Sequence, residues 1–483
     1  MRKTTILSFF AALALTASAQ QAAPVAQPDF GQAAAAMNRT QQTLKPFRQG
    51  DRVAFVGNSI TDGGHYHSYI WLYYMTRFPD MRVWMGNLGI GGDTSTEILN
   101  RLEGDVYGKM PTVVALTFGM NDSGYLEHNT DTASRFREKR FALVESNYRK
   151  MEQVLASHSA RVIQVGTSPY DQTSRFNANI NRGKNDFICR MVDMQRASAA
   201  KHGWEFIDFN RPMTDYNLCR QRADSAFTLC GHDRIHPDND GHMLMAYLFL
   251  KAQGMEGLPV ATADIDAAKA TVVEAANCRL SALETSPQGI AFDYLAGSLP
   301  YPLDTIARGD MVFDRPQSRI KMLVPDFMEK FNAETLRVRG LKKGRYCLTI
   351  DGVTIDTLQA DRLAGGVNLA LYTATPQYQQ ALTVMMLNED RWDMERRVRD
   401  WAWVEYDYFL KNGVKDVLSR EARAMYDRDR QTNWWVASRR DIYAKMGNKG
   451  VQAACEKYQE AVVDEIYRLN RPVTRRVKLV RVK

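Results

Sequence analysis

Four short stretches carry residue types that do nucleophilic chemistry when brought together. Ser59 lies in Gly57-Asn58-Ser59-Ile60-Thr61, directly after the apolar run 53–56. A serine on a sharp turn between strand and helix exposes its hydroxyl and keeps its backbone N–H free. Taken alone, the same serine also suits a helix N-cap. Asn87-Leu88-Gly89-Ile90-Gly91-Gly92-Asp93-Thr94 follows the run 83–85, and its glycines let a backbone N–H approach a ligand closely. Gly119-Met120-Asn121-Asp122 follows the run 113–118; its asparagine amide can donate a hydrogen bond, or simply make a turn. Asp233-Arg234-Ile235-His236-Pro237 places a carboxylate three residues before a histidine. There the carboxylate can accept from one ring nitrogen and leave the other free to take a proton.

Rival chemistries fit these stretches less well. Gly89-x-Gly91 begins a dinucleotide fingerprint, but Thr94 fills the third glycine position and the loop follows the second strand. No GxxxxGK[ST] phosphate loop is present. His232 and His236 are four apart with His242 nearby, the spacing of a shared zinc on a helix. Gly231 and Pro237 flank them, however, and the residue before proline is biased away from helix. No cofactor or metal is therefore expected. The G-x-S-x-G elbow is also broken, because Thr61 occupies its second glycine position.

Short apolar runs at 53–56, 83–85, 113–116, 162–165 and 204–207 alternate with helical-period stretches, notably 141–157 and 185–202. Such alternation predicts a parallel sheet covered on both faces. A last helix at about 239–252 closes the unit. Each of the four stretches is expected at the C-terminal end of a predicted strand, the edge where open α/β sheets hold their ligands.

In this order, the four stretches resemble the SGNH (GDSL-type) hydrolase family, over about residues 50–253. The resemblance implies a three-layer α/β/α, flavodoxin-like fold and a serine esterase working through an acyl-enzyme. It further implies Ser59 as nucleophile, the Gly92 N–H and the Asn121 amide as oxyanion donors, His236 as base and Asp233 as its orienter. Asn58 stands where the commonest family motif has Asp, which touches the turn's local hydrogen bonding and not the nucleophile. The leading substrate on this resemblance is an O-acetyl group on a polysaccharide or oligosaccharide. Lipid or small esters come next, and a non-catalytic glycan-binding protein on an esterase scaffold is a further alternative. Tyr66, Tyr69, Trp71, Tyr73, Tyr74 and Tyr125 either face sugar rings or pack as core; His65 and His67 line the entrance or are solvated.

The 483 residues are 45% hydrophobic and 24% charged, ordinary globular chemistry that suggests two or three domains. The formal charge of +8 is spread along the chain, which argues against a nucleic-acid partner. Arg2 and Lys3, the apolar stretch 6–15 and Ala17-Ser18-Ala19 read as a signal peptide over 1–19. That apolar stretch is too short to span a bilayer, so export to the periplasm or beyond is expected, with no integral membrane segment. Residues 20–48 read as a leader or linker and 49–256 as the hydrolase domain. A β-rich domain is expected over 270–375, carrying a hairpin at Asp351-Gly352. Residues 376–483 read as a helical region with a terminal strand that rejoins the β-rich domain. Leu387, Met394, Val398, Trp401, Val404 and Tyr408 mark one helix face there. Among six cysteines, Cys219 and Cys230 are either a disulfide or two buried thiols.

Overall fold

The computed structural model describes residues 30–36, 44–308 and 314–482. The expected signal peptide, and the leader apart from residues 30–36 and 44–48, lie outside the described residues.

The five apolar runs form strands β1 (Arg52–Gly57), β2 (Trp84–Gly89), β3 (Val113–Leu116), β4 (Arg161–Gly166) and β5 (Glu205–Asp208). They pair in parallel in the order β2-β1-β3-β4-β5. Successive side chains of a strand point to opposite faces, so each face needs its own cover. Val53 and Phe55 belong to a core with the helices Tyr66–Arg77 and Asn239–Ala252, whereas Ala54 and Val56 pack with the helix Ala133–Ser157. Both faces are buried, which is why the runs are continuous rather than alternating. This is the three-layer α/β/α arrangement. Its strand order reverses at β1/β3, a ligand-binding crevice in doubly wound sheets.

The β-rich part begins earlier than residue 270. Strands β6 (Ala261–Asp266), β7 (Thr271–Ala276), β8 (Cys278–Ser286), β9 (Gly289–Ala296), β10 (Glu334–Arg339), β11 (Arg345–Ile350), β12 (Val353–Gln359), β13 (Val367–Asn368) and β14 (Arg475–Arg481) make two sheets. Their orders are β13-β10-β6-β7 and β12-β11-β14-β9-β8, and both sheets contribute to one core. The terminal strand β14 sits between β11 and β9, antiparallel to each. Asp351 (φ 50°) and Gly352 (φ 82°) turn the β11–β12 hairpin; two consecutive positive φ angles mark a turn whose twist matches the strands. Within the span read as β-rich, Ile320–Leu323 and Phe327–Phe331 are helical. Ile320, Leu323, Phe327 and Phe331 are buried in the core of the first unit, so burial there overrides the β-rich context.

The C-terminal helices begin with Pro376–Ala402, which carries Pro at its first turn and continues as a π-helix, Trp403–Phe409. Proline is tolerated at a helix start because that N–H has no intrahelical partner. This helix packs along Lys449–Leu469 and also against the helix Tyr66–Arg77 and β2. Among the described residues no helix is long and apolar enough to cross a membrane.

Candidate active site

Gly57 ends β1, and a Cβ there would lie 2.2 Å from Thr61 Oγ1, so the chain turns only with glycine. Asn58 Oδ1 then accepts the Ile60 N–H at 3.0 Å and caps the one-turn helix Ser59–Asp62. Asn58 thus does the capping that an Asp would do at this position. The turn presents Ser59 Oγ to His236 Nε2 at 2.7 Å.

His236 Nδ1 lies 2.5 Å from Asp233 Oδ2. An ionised carboxylate only accepts, so Nδ1 carries the proton and Nε2 is left as the acceptor facing the serine. Burial pulls the Asp233 pKa upward, but the hydrogen bond from His236, the attraction of that ring when protonated and two backbone N–H groups together hold it below the ordinary value. Asp233 Oδ1 also accepts the backbone N–H groups of Ile235 (2.9 Å) and His236 (3.0 Å), closing the turn on itself. Arg234 between them has φ 66°. Its buried guanidinium donates to Asp171 O, Ser174 O and Asn177 O at 2.8–3.0 Å and lies over the Phe176 ring. Arg234 therefore fixes the Asp-x-x-His turn from beneath, a role its sequence position alone did not signal.

The loops after β2 and β3 each bring one donor toward the serine. Gly92 has φ 93°, a conformation that favours glycine. Gly91, just before it, would place a Cβ 4.0 Å from Ser59 Cβ. Among the described residues, neither the Ser59 nor the Gly92 backbone N–H is committed to an acceptor. Asn121 Nδ2 donates to Asp93 O at 2.9 Å, and Tyr125 Oη donates to Asn121 Oδ1 at 2.6 Å. These two bonds fix the amide and leave its second N–H available beside Gly92. Asp122, next in the chain, accepts from Ser95 N (2.8 Å) and Gly119 N (3.1 Å), tying the two loops together.

Sequence reasoning missed Lys184. It is buried, and its Nζ donates to Met120 O at 2.7 Å and also to Ser123 Oγ and Gly124 O. Three acceptors call for the three donors of an ammonium. Burial nevertheless pushes its pKa down to about 7, against the pull of Asp122 and Glu127. Nothing local signals this, since one lysine in a polar helix start looks solvated.

The structure also places the other residues singled out in the sequence. His65 and His67 are 0% and 1% exposed and neither lines an entrance. His65 stacks on Trp392 with ring centres 4.0 Å apart and lies 3.3 Å from Glu389. Burial pulls the His67 pKa down to about 3. Tyr66, Tyr69, Trp71, Tyr73 and Tyr74 are all core. Cys219 and Cys230 are free thiols, and Cys230 Sγ lies 3.5 Å from Pro169 O. Among the described residues no three His, Cys, Asp or Glu side chains are grouped to hold a metal ion.

A hydroxyl held by an imidazole, with a carboxylate behind it and two N–H donors at one side, is equipped for acyl transfer. Comparison with known proteins bears on this directly. The GDSL-like lipase/acylhydrolase family matches residues 55–244, and the diltiazem deacetylase C-terminal helical domain matches residues 382–471. The solved structure of a gut microbial diltiazem-metabolizing enzyme is 48% identical, with a TM-score of 0.89, covering 92% of this chain and 100% of its own. The chain belongs to the GDSL-like lipase/acylhydrolase family. As a member it is a carboxylic ester hydrolase. An acetylxylan esterase of Geobacillus stearothermophilus is 22% identical over 226 residues, which are 43% of this chain and 95% of that relative. A solved structure of an acetylxylan esterase from that organism is 21% identical, covers 43% of this chain and 95% of its own, and has a TM-score of 0.34.

Proposed function

We propose that the esterase removes acetyl groups from hydroxyl compounds through an acetyl-enzyme on Ser59. The observation that carries this reading is the continuous relay from Ser59 Oγ to His236 (2.7 Å) and from His236 to Asp233 (2.5 Å). His236 takes the serine proton as Oγ attacks the ester carbonyl, and the carboxylate of Asp233 stabilises the imidazolium that forms. The N–H groups of Ser59 and Gly92 and the Asn121 amide receive the charge that develops on the carbonyl oxygen. The imidazolium returns its proton to the departing alcohol. Water, activated by the same nitrogen, then releases acetate.

For the alcohol, the reading is a sugar hydroxyl on a polysaccharide or oligosaccharide, met after export directed by residues 1–19. The acetylxylan esterase relative supports it. A second reading is a small acetylated organic molecule, favoured by the 48% identity to the diltiazem-metabolizing enzyme over nearly the whole chain. Comparing kcat/KM for acetylated xylo-oligosaccharides and for diltiazem on the same preparation tests the pair. A preference of tenfold or more for the oligosaccharide supports the sugar reading; the reverse preference overturns it in favour of the small ester.

A further inference from the structure

The end of β2 and the loop after it, which carries Gly92, meet one helix that lies some 300 positions further along the chain, directly at Asn87 and Gly89 and through Asp62 at Gly91. Asn87 N donates to Glu395 Oε1 at 2.9 Å. Gly89 O accepts from Arg399 Nε at 2.9 Å. Gly91 N donates to Asp62 Oδ2 at 3.0 Å, while the other oxygen of that carboxylate accepts from Arg396. Glu395, Arg396 and Arg399 all belong to Pro376–Ala402 and are spaced so that one helix face meets one stretch of extended backbone.

These contacts lie in a buried charge network. Arg399 grips Asp105 with both terminal nitrogens, at 2.9 and 2.7 Å. Asp105 also accepts from Arg101, which donates in turn to Asp93 Oδ2 at 2.7 Å and to Gly57 O at 3.0 Å. Arg391 pairs with Glu395 at 2.8 Å. Asp62 is where the network meets the reacting groups. It ends the one-turn helix that begins at Ser59, and it holds the N–H of the residue just before Gly92. Its side chain is 8% exposed, so ionised it needs a cationic partner.

We infer that Arg396 is a positioning residue for ester hydrolysis: by pairing with Asp62 and orienting it, it sets the spacing between Ser59 and the Gly92 N–H. The C-terminal helix thereby completes the oxyanion site without touching substrate. A donor aimed at a developing charge loses most of its effect when it is displaced, and a misplacement of about 1 Å costs on the order of 100-fold. Removing Arg396 frees Asp62 to turn away from Gly91 and lets the loop relax. The effect falls on kcat, because the oxyanion exists only in the transition state. This inference rests on the reading of Ser59 and Gly92 given above.

The test uses the full-length protein and p-nitrophenyl acetate, with kcat expressed per serine that a fluorophosphonate probe labels to completion. Arg396→Met keeps the apolar stem and drops the charge; it is expected to lower kcat about 30- to 100-fold with KM within about threefold of wild type. Arg396→Lys, which restores the charge without the fork, is expected to recover most of that loss. A methionine variant less than tenfold slower than wild type, or a loss carried by KM, overturns the inference. If Arg396→Met yields no folded protein, Arg396→Leu, which likewise leaves Asp62 without a donor from this position, is judged by the same tenfold limit. Ser59→Ala run in parallel separates the two levels of the argument. An active Ser59→Ala overturns the reading of the site, whereas an inactive one beside a fully active Arg396→Met overturns only the positioning role.

Discussion

Replacing Asp233 by asparagine changes one atom and reverses the direction of a hydrogen bond. In the wild type, Asp233 Oδ2 accepts the Nδ1 proton of His236, and Oδ1 accepts two backbone N–H groups of its own turn. Asparagine keeps an oxygen for the two turn bonds but presents an NH₂ to Nδ1. That nitrogen must then act as acceptor, so the proton moves to Nε2, the atom that faces Ser59 Oγ at 2.7 Å. An Nε2–H cannot take the serine proton. The variant also forfeits the charge that stabilises the imidazolium. The same exchange in a serine protease triad lowers turnover by about 10⁴. For the present site the expected loss in kcat is ~10³–10⁴, which is about 4–5.5 kcal/mol of activation free energy. Because the turn bonds survive, the thermal midpoint is expected to stay within about 2 °C of wild type. Steady-state hydrolysis of p-nitrophenyl acetate beside a thermal melt reads both quantities. A folded Asp233→Asn variant within tenfold of wild-type kcat would refute the assignment of Asp233 as the orienter of His236.

Asn121→Ala removes a donor whose amide is held by Asp93 O and Tyr125; kcat is expected to fall about 10²–10³-fold with KM little changed, as steady-state kinetics on the same ester will show. Buried Glu334 accepts from Tyr294 and Gln377 at 2.9 Å each, and burial raises its pKa from 4.5 to about 7. Between those two values the folded chain binds more protons than the unfolded one, so this group makes stability fall as pH rises from about 4.5 to 7. The whole shift corresponds to about 3 kcal/mol. Glu334→Gln is therefore expected to flatten that part of the pH–stability curve and to raise the melting temperature at pH 8 more than at pH 5; equal effects at both pH values would contradict it.

The hydrolase unit was legible because its signals are local. Each strand is a short apolar run, and each site residue follows one or stands three positions from its partner, as Asp233 does from His236. Even there, β2 continues to Gly89, so part of the loop expected at 87–94 is strand: Asn87 and Gly89 pair with Phe55 and Gly57 of β1. The C-terminal helix was less legible. Its apolar stripe was expected to define the packed face, and Trp401, Val404 and Tyr408 are indeed buried. Yet Asn388, Glu389, Arg391, Glu395 and Arg399 are buried as well, because they meet backbone carbonyls, N–H groups, carboxylates and His65, with Arg391 also over the Trp71 ring. Hydrophobic periodicity cannot register a face whose partners are polar. Nor could the sequence pair Asp62 with Arg396, since nothing local links residues that far apart. His65 and His67 were misread for a related reason: Trp392 and Glu389, far away in the chain, cover His65, while His67 packs against Phe55 with Nε2 3.1 Å from Thr61 O. Of the tryptophans in the C-terminal half, Trp392 and Trp401 are buried, while Trp434 and Trp435 remain exposed; identical residue types, read from sequence, could not be divided this way.

The central claim is that Ser59 is the nucleophile of an acetyl-ester hydrolase, and acetate release by wild type and Ser59→Ala at matched concentrations tests it most directly. The variant loses one hydroxyl, and the capping bonds made by Asn58 and the turn around Asp233 do not depend on that oxygen. The account predicts an unchanged melting temperature and acetate release from p-nitrophenyl acetate at the background rate. A folded Ser59→Ala variant that released acetate as fast as wild type would contradict it.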